Sequence, residues 1–227
     1  MPRRATSAFS PVVPPPPARS RRLARLKPLA DYPIAAVLLV LTGPVVLLAM
    51  ALVRATSRGP AVYRQTRVGK DGRRFVILKL RTMSHECESL TGPRWSIPGD
   101  PRITPVGAWL RRLHLDELPQ LLNVLRGEMS LIGPRPERPE ICDNLRKLVP
   151  GYDRRHAVKP GITGFAQVHL PPDSCVRSVK NKVAYDRFYL LRSGLRMEAA
   201  VLACTLLKVM GLKKVYHRPP RKPAGDE

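Results

Sequence analysis

The sequence predicts a helix-rich α+β protein, monotopic on a membrane, with an N-terminal re-entrant helix-break-helix and a small β-hairpin. Three observations lead there. Residues 34–53 (IAAVLLVLTGPVVLLAMALV) carry no charge. Lys and Arg crowd both flanks of that run. Further on, Ala61–Gln65 and Phe75–Leu80 are rich in β-branched and aromatic residues and are separated by Gly69-Lys-Asp-Gly72, a turn signal. With 227 residues, 44% of them hydrophobic, the chain can build a core.

Residues 1–30 read as a basic, proline-rich, disordered arm. They hold seven Lys and Arg, no acid, and the run Pro14–Pro17, which favours an extended form. Residues 31–54 are the membrane segment, residues 55–212 a cytoplasmic domain, and residues 213–227 a basic tail. The apolar run admits three readings. A cleaved signal peptide has Ala49-Met-Ala51 in its favour, but the leader and the apolar run are both too long. A single span is possible, since twenty helical residues reach ~30 Å and proline is tolerated in membrane helices. A hairpin that enters and leaves by one face fits two further features. Gly43-Pro44 lies at the midpoint, where Pro44 has no N–H for the Val40 carbonyl and disfavours a helical Gly43. The flanks also agree, because residues 54–82 carry nine Lys and Arg against the single acid Asp71, so charge bias selects no outer side.

Beyond the hairpin, residues 84–105 are polar and proline-broken, a loop. Leu118, Leu121, Leu122 and Leu125 fall at helical spacing, which starts a helix near Pro119. Residues 133–140 (GPRPERPE) exclude helix and inner strand, and residues 159–165 (KPGITGF) read as another loop. Met197–Met210 is apolar but only fourteen residues long, too short to span, and reads as an amphipathic or core helix.

The charge narrows the partners. Lys+Arg is 40 and Asp+Glu 17, a formal net charge of +23, which calls for a polyanionic neighbour: nucleic acid, anionic lipid or phosphorylated substrate. Aromatic residues are only 5% and no nucleic-acid module is visible, which argues against nucleic acid. Cys87, Cys142, Cys175 and Cys204 form no CxxC pair, so they read as reduced thiols. GxxxxGK[ST], GxGxxG, HExxH and GxSxG are all missing.

The densest chemistry lies in residues 100–136, centred on Asp116-Glu117. Adjacent carboxylates at the mouth of a helix can cap it. They can also hold a hard cation such as Mg²⁺, which takes one or two carboxylates and leaves its other positions to water and substrate phosphates. A carboxylate can further act as a covalent nucleophile toward phosphorus, a chemistry that needs cations around the phosphoryl oxygens. Arg111 and Arg112 precede the pair by about one helical turn, and Lys79, Arg81 and Arg135 are further candidates. Arg135 is held between Pro134 and Pro136.

Residues 59–83 (GPAVYRQTRVGKDGRRFVILKLRTM), residues 100–136 and KPGITGFAQV at 159–168 together resemble the bacterial sugar transferases known as small monotopic phosphoglycosyl transferases. The resemblance covers roughly residues 27–210. It implies transfer of a phospho-sugar from a UDP-sugar to a polyprenyl (undecaprenyl) phosphate at the cytoplasmic face of the bacterial inner membrane, against anionic lipids. UMP is released and a lipid-linked glycan is started. Asp116 matches the family's nucleophile and Mg²⁺ ligand, and Glu117 its partner in metal support or proton handling. Arg111 matches a phosphate-holding arginine, and Gly133-Pro134-Arg135-Pro136 the substrate loop. Lys27 and Asp31 match residues at the membrane-helix entrance. The sequence departs from the family at Gly43, His114, Glu128, Phe165 and Glu198, where serine, serine, aspartate, tryptophan and aspartate are usual. Two rivals stay open: a non-catalytic membrane scaffold of the same fold and a membrane-tethered nucleic-acid binder.

Overall fold

The fold is taken from a computed structural model, which describes residues 15, 18–88, 92, 96, 97, 99–172 and 175–212. The expected basic tail and residues 1–14 of the expected arm lie outside the described residues.

The hairpin forms as the pattern predicts. β1 (Val62–Val68) pairs antiparallel with β2 (Arg74–Leu80), from Val62 opposite Leu80 to Val68 opposite Arg74. Asp71 and Gly72 take positive φ in the connection. Phe75, Ile77 and Leu80 of β2 are buried, whereas Val76 is exposed, the two-residue alternation of a half-buried strand. The second edge of β2 is closed by one side chain. Asn123 is fully buried, accepts the Leu78 N–H at 3.0 Å and donates to the Val76 carbonyl at 2.7 Å. Its amide thus stands in for a neighbouring strand. Replacing Asn123 by leucine leaves both backbone groups buried without partners. At ~1–3 kcal/mol for each unsatisfied group, that variant loses several degrees of Tm or fails to fold, measured by thermal unfolding.

Asn123 sits on α3 (Leu121–Leu125), at the end of a chain of short helices. Thr104 accepts from Gly107 N–H at 3.0 Å and Pro105 fills the first position of α2 (Pro105–Arg112), a start encoded by the Thr-Pro pair. A 3₁₀ segment, Leu115–Gln120, links α2 to α3, so the helix expected near Pro119 begins as a tighter turn. Residues 84–105 return on themselves, with Met83 bridged to Ile103 and Thr104 N–H donating to Thr82 O at 3.0 Å.

β3 (Ser130–Ile132) pairs parallel with β4 (Gly161–Thr163). The stretch expected as a loop at 159–165 is therefore partly strand. Its glycines explain why. A Cβ on Gly161 would lie 2.0 Å from Gly133 N, and one on Gly133 would lie 2.4 Å from Lys159 O, so the two backbones mesh only without side chains. α4 (Pro139–Leu148) follows, starting on a proline at its first position. Then come the 3₁₀ segment Tyr152–Ala157, α5 (Phe165–His169), α6 (Val176–Arg192) and α7 (Leu195–Val209). Cys142, Leu145, Tyr152, Val179 and Val183 pack one cluster between α4 and α6.

The N-terminal helix corrects two expectations. α1 spans Ala18–Thr56, so residues 18–30 are helix and not part of an extended arm. Helical backbone also continues through Gly43 and Pro44, where the sequence predicts a break. Proline deletes one helical hydrogen bond, and an apolar helix can carry that loss as a bend while the turns on either side persist. Ser20–Thr56 is long and apolar enough to cross a membrane, by length and composition.

Both ends of α1 dock on one body. Near its start, Lys27 Nζ donates to Ile132 O at 2.8 Å and pairs with Glu198 at 2.5 Å, and Ser130 Oγ donates to Asp31 at 2.7 Å. Ala35 joins Ile77, Leu121, Val124, Met129 and Leu131 in the central cluster. Near its end, Ala49 and Val53 pack with Ala61, Leu80 and Leu110. Between those anchorages Val37, Val40, Leu41, Leu47 and Leu48 are exposed. Only small residues, Ala35 and Ala49, lie flush against the body, which allows close helix approach.

Candidate active site

Asp116 and Glu117 ride on the 3₁₀ segment between α2 and α3. The chain reverses into it at His114, which takes φ 56 with an exposed side chain. The residue that replaces the family's serine is thus a backbone hinge in a left-handed conformation.

The two carboxylates live in opposite environments. Glu117 Oε1 meets Lys79 Nζ at 2.9 Å and Arg135 Nη2 at 2.6 Å. Burial pushes the Glu117 carboxyl up, but Arg135 and Lys79 outweigh it and hold the group well below the usual carboxylate range. Asp116 is buried, and among the described residues its carboxylate has no hydrogen bond or ion pair. Burial, reinforced by the Glu117 charge, raises its pKa above 3.8, while Lys79, Arg111 and Arg135 pull it down. One acid is therefore occupied and the other is open, inside a ring of three cations. A capping role finds no support, since neither side chain caps the segment. Diverging environments of this kind mark a division of labour between paired carboxylates.

Each cation is placed by a different element. Lys79 projects from β2, where burial lowers its pKa and Glu117 raises it. Arg111, in the last turn of α2, donates from Nε to Thr82 Oγ1 at 2.8 Å and from Nη1 to Ser96 Oγ at 3.0 Å. It feels the Asp116 charge without touching it. Arg135 extends from the loop after β3. Pro134 O accepts Gly161 N–H at 3.0 Å, Pro136 O accepts from Arg67 at 3.2 Å, and Arg135 O accepts from Arg155 at 3.1 Å. The two prolines thus frame the arginine and make no charge contact of their own. Arg155 is itself locked to Asp186 at 2.8 Å and buried.

Arg81 is not part of this ring. Its Nη2 donates to Ser57 O at 2.9 Å and Ser57 Oγ at 2.8 Å, and its Nη1 to Arg58 O, so it closes the C-terminal end of α1. The candidate substrate contact is corrected to a structural one. Alternation along β2 explains it, since Lys79 and Arg81 are two apart but the strand ends at Leu80. Arg81→Ala should lower Tm by several degrees and leave the donor KM near the wild-type value; a raised donor KM at unchanged Tm would return Arg81 to the site.

Could the site hold Mg²⁺? No cluster of three or more His, Cys, Asp or Glu with metal-site geometry exists among the described residues. A single open carboxylate beside a diphosphate still fits this ion, which dehydrates reluctantly and draws its other ligands from phosphate and water. Asp116 supplies such a carboxylate; Glu117, held by two cations, does not.

Two positioning residues carry no recognisable motif: Asn123, which fixes α3 to β2, and Arg155, which fixes the Arg135 backbone. Their signal is spatial, since Asn123 lies 45 residues from Leu78 and Arg155 lies 20 from Arg135. The five departures from the family sit mostly in support. Glu128 accepts from Asn123 at 2.7 Å, Glu198 holds Lys27, and Phe165 stacks on Phe188 with ring centroids 5.3 Å apart.

Comparison with known proteins adds identity. The UDP-glucose:undecaprenyl-phosphate glucose-1-phosphate transferase of Xanthomonas campestris pv. campestris is 38% identical over 194 residues, covering 84% of this chain and 40% of that protein. The UDP-N-acetylgalactosamine-undecaprenyl-phosphate N-acetylgalactosaminephosphotransferase of Aeromonas hydrophila is 37% identical over 180 residues, 79% of this chain and 42% of that one. A UDP-glucose:undecaprenyl-phosphate glucose-1-phosphate transferase of Caulobacter vibrioides is 39% identical over 192 residues, 84% of this chain and 72% of that one. The chain thus spans about 40% of the length of the first two relatives. The family model described as bacterial sugar transferase matches residues 22–212, from the first turns of α1 to the end of α7. That match takes in the acid pair, its three cations and both anchorages of the long helix, and the chain belongs to the bacterial sugar transferase family.

Proposed function

We propose that the chain is a phosphoglycosyl transferase that moves a sugar 1-phosphate from a UDP-sugar to undecaprenyl phosphate and releases UMP. The observation that carries the reading is the open Asp116 carboxylate among Lys79, Arg111 and Arg135, while its neighbour Glu117 is tied down. In this reading an Asp116 oxygen attacks the β-phosphorus of the donor. The P–O bond to UMP breaks and UMP leaves with the electron pair. A phosphate oxygen of the lipid acceptor then attacks the same phosphorus, and the Asp116–phosphorus bond breaks to restore the carboxylate. Both substrates use one nucleophile in turn, so the kinetics are ping-pong. Arg111 and Arg135 neutralise the phosphoryl oxygens, and Glu117 holds Lys79 and Arg135 in place. Asp116 would also hold Mg²⁺, which when bound supplies further charge neutralisation.

The membrane attachment in this reading is one-sided, on the cytoplasmic face of the bacterial inner membrane, with anionic lipids against the basic flanks. It is supported by the anchorage of both ends of α1 on a single body, with the apolar middle exposed between them. A straight span would carry one of those ends across the bilayer and away from the body. Single cysteines at Arg22 and Arg58, with Cys87 and Cys175 replaced by serine, test it in sealed vesicles. Labelling of both from the cytoplasmic side is expected; labelling from opposite sides would contradict it.

The activity itself is tested by UMP release from a panel of UDP-sugars, with full-length protein, Mg²⁺ and undecaprenyl phosphate. Release that requires both substrates in steady state supports the transferase; none with any donor leaves the scaffold reading in its place.

A further inference from the structure

The cations of the site extend past those that motifs single out. Lys208 lies in the last turn of α7, and its Nζ donates to Gln167 O on α5 at 2.8 Å. α7 is fastened one turn earlier, where Thr205 Oγ1 and Thr163 Oγ1 lie 2.8 Å apart. Thr163 O in turn accepts the Gly133 N–H at 2.9 Å. Lys208 therefore hangs from the same meshed backbone that carries Arg135. Its charge is felt there: burial lowers the Lys208 pKa, Arg135 and Lys182 lower it further, and Glu117 raises it. Like charges gathered without a matching acid favour an anion between them.

The surface around Lys208 is apolar. Leu206, Val209, Met210 and Leu212 are 64%, 48%, 72% and 55% exposed, and Leu202 lies on the same helix one turn before Leu206. A cation bordered by such a stripe matches a ligand with one phosphate on a hydrocarbon chain. It matches a nucleoside diphosphate poorly, since that ligand is polar along its whole length.

We infer that Lys208 binds the phosphate of the lipid acceptor, with the acceptor's hydrocarbon lying along the exposed face of α7, and so positions an acceptor oxygen for attack on the phosphorus carried by Asp116. The inference rests on the transferase reading above and divides the cations between substrates: Arg111, Arg135 and Lys79 serve the donor diphosphate, Lys208 the acceptor. No co-reactant is added, because Lys208 keeps its proton throughout and only holds charge.

Lys208→Gln tests it, since the amide can still donate to Gln167 O but carries no charge. With full-length protein in lipid nanodiscs and a UDP-sugar that the wild type uses, the KM for undecaprenyl phosphate should rise about tenfold or more, the scale of one lost charge-assisted contact. The UMP burst without acceptor and the donor KM should not change. Lys208→Arg should recover most of the acceptor affinity, and Leu206→Asn should raise the acceptor KM alone. An unchanged acceptor KM in Lys208→Gln, or an equal rise in donor and acceptor KM, would overturn the assignment. If the wild type releases no UMP from any donor, the transferase reading falls, and this inference with it.

Discussion

Asp116→Asn reduces turnover by ~10⁴–10⁶-fold, the scale seen when a group that forms or directly serves the covalent intermediate is removed. Size and burial hardly change, so the variant folds, and thermal unfolding should show it. What it loses is the one carboxylate oxygen with nothing else to do. The same environment predicts the pH profile. An ionised Asp116 is required, and burial together with Glu117 raises its pKa above 3.8. Activity is therefore lost as pH falls through a value above the ordinary aspartate range, read as the acid limb of kcat/KM for the donor. Glu117→Gln removes one cause of that rise and frees Lys79 and Arg135 to attract Asp116. Both effects act in one direction, so the acid limb of its residual activity moves to lower pH. A limb that stays in place or moves up would show that the two carboxylates are not coupled as described.

Arg135→Ala reduces kcat/KM by ~10²–10³-fold, the usual cost of removing one fixed charge from a phosphoryl transition state. Arg135 grips Glu117 at 2.6 Å, yet its side chain is 40% exposed, which leaves donor positions for a phosphate. Arg135→Lys keeps the charge but not the fork, and should recover only part of the loss. A second readout is stability against pH. The folded-state pKa of Glu117 is depressed below its ordinary 4.5. Its pairs therefore stabilise the fold above that value, and the contribution is lost as pH falls through the depressed folded one. In Arg135→Ala that acid-sensitive part shrinks, because only Lys79 remains to hold Glu117.

Much of this was legible because it is local. Two-residue alternation and a Gly-rich turn give β1 and β2, and Thr104-Pro105 marks the start of α2. The apolar run gives α1, but its extent does not follow from hydropathy. Residues 18–30 are basic and still helical, because Lys27 and Asp31 find partners on β3 and α7 more than 90 residues away. Pro44 shows the converse. Local chemistry argues for a break, and packing of Ala35 and Ala49 on one body keeps helical backbone on both sides of it. For the site, adjacency in sequence revealed Asp116-Glu117 but not which acid is open. That depends on Lys79 and Arg135 converging from a strand and a loop. Arg81 looked equivalent to Lys79 by composition, and only the end of β2 separates their fates.

The central claim is that Asp116 carries the phospho-sugar between donor and acceptor. Intact-protein mass spectrometry of the full-length enzyme, quenched in acid after mixing with a UDP-sugar it uses, Mg²⁺ and no lipid acceptor, addresses it directly. The expected result is a mass gain of one phospho-sugar, localised to Asp116 by peptide mapping, gone in Asp116→Asn and discharged when undecaprenyl phosphate is added. An enzyme that turns over at full rate yet never gains that mass, or gains it equally in Asp116→Asn, would contradict the account.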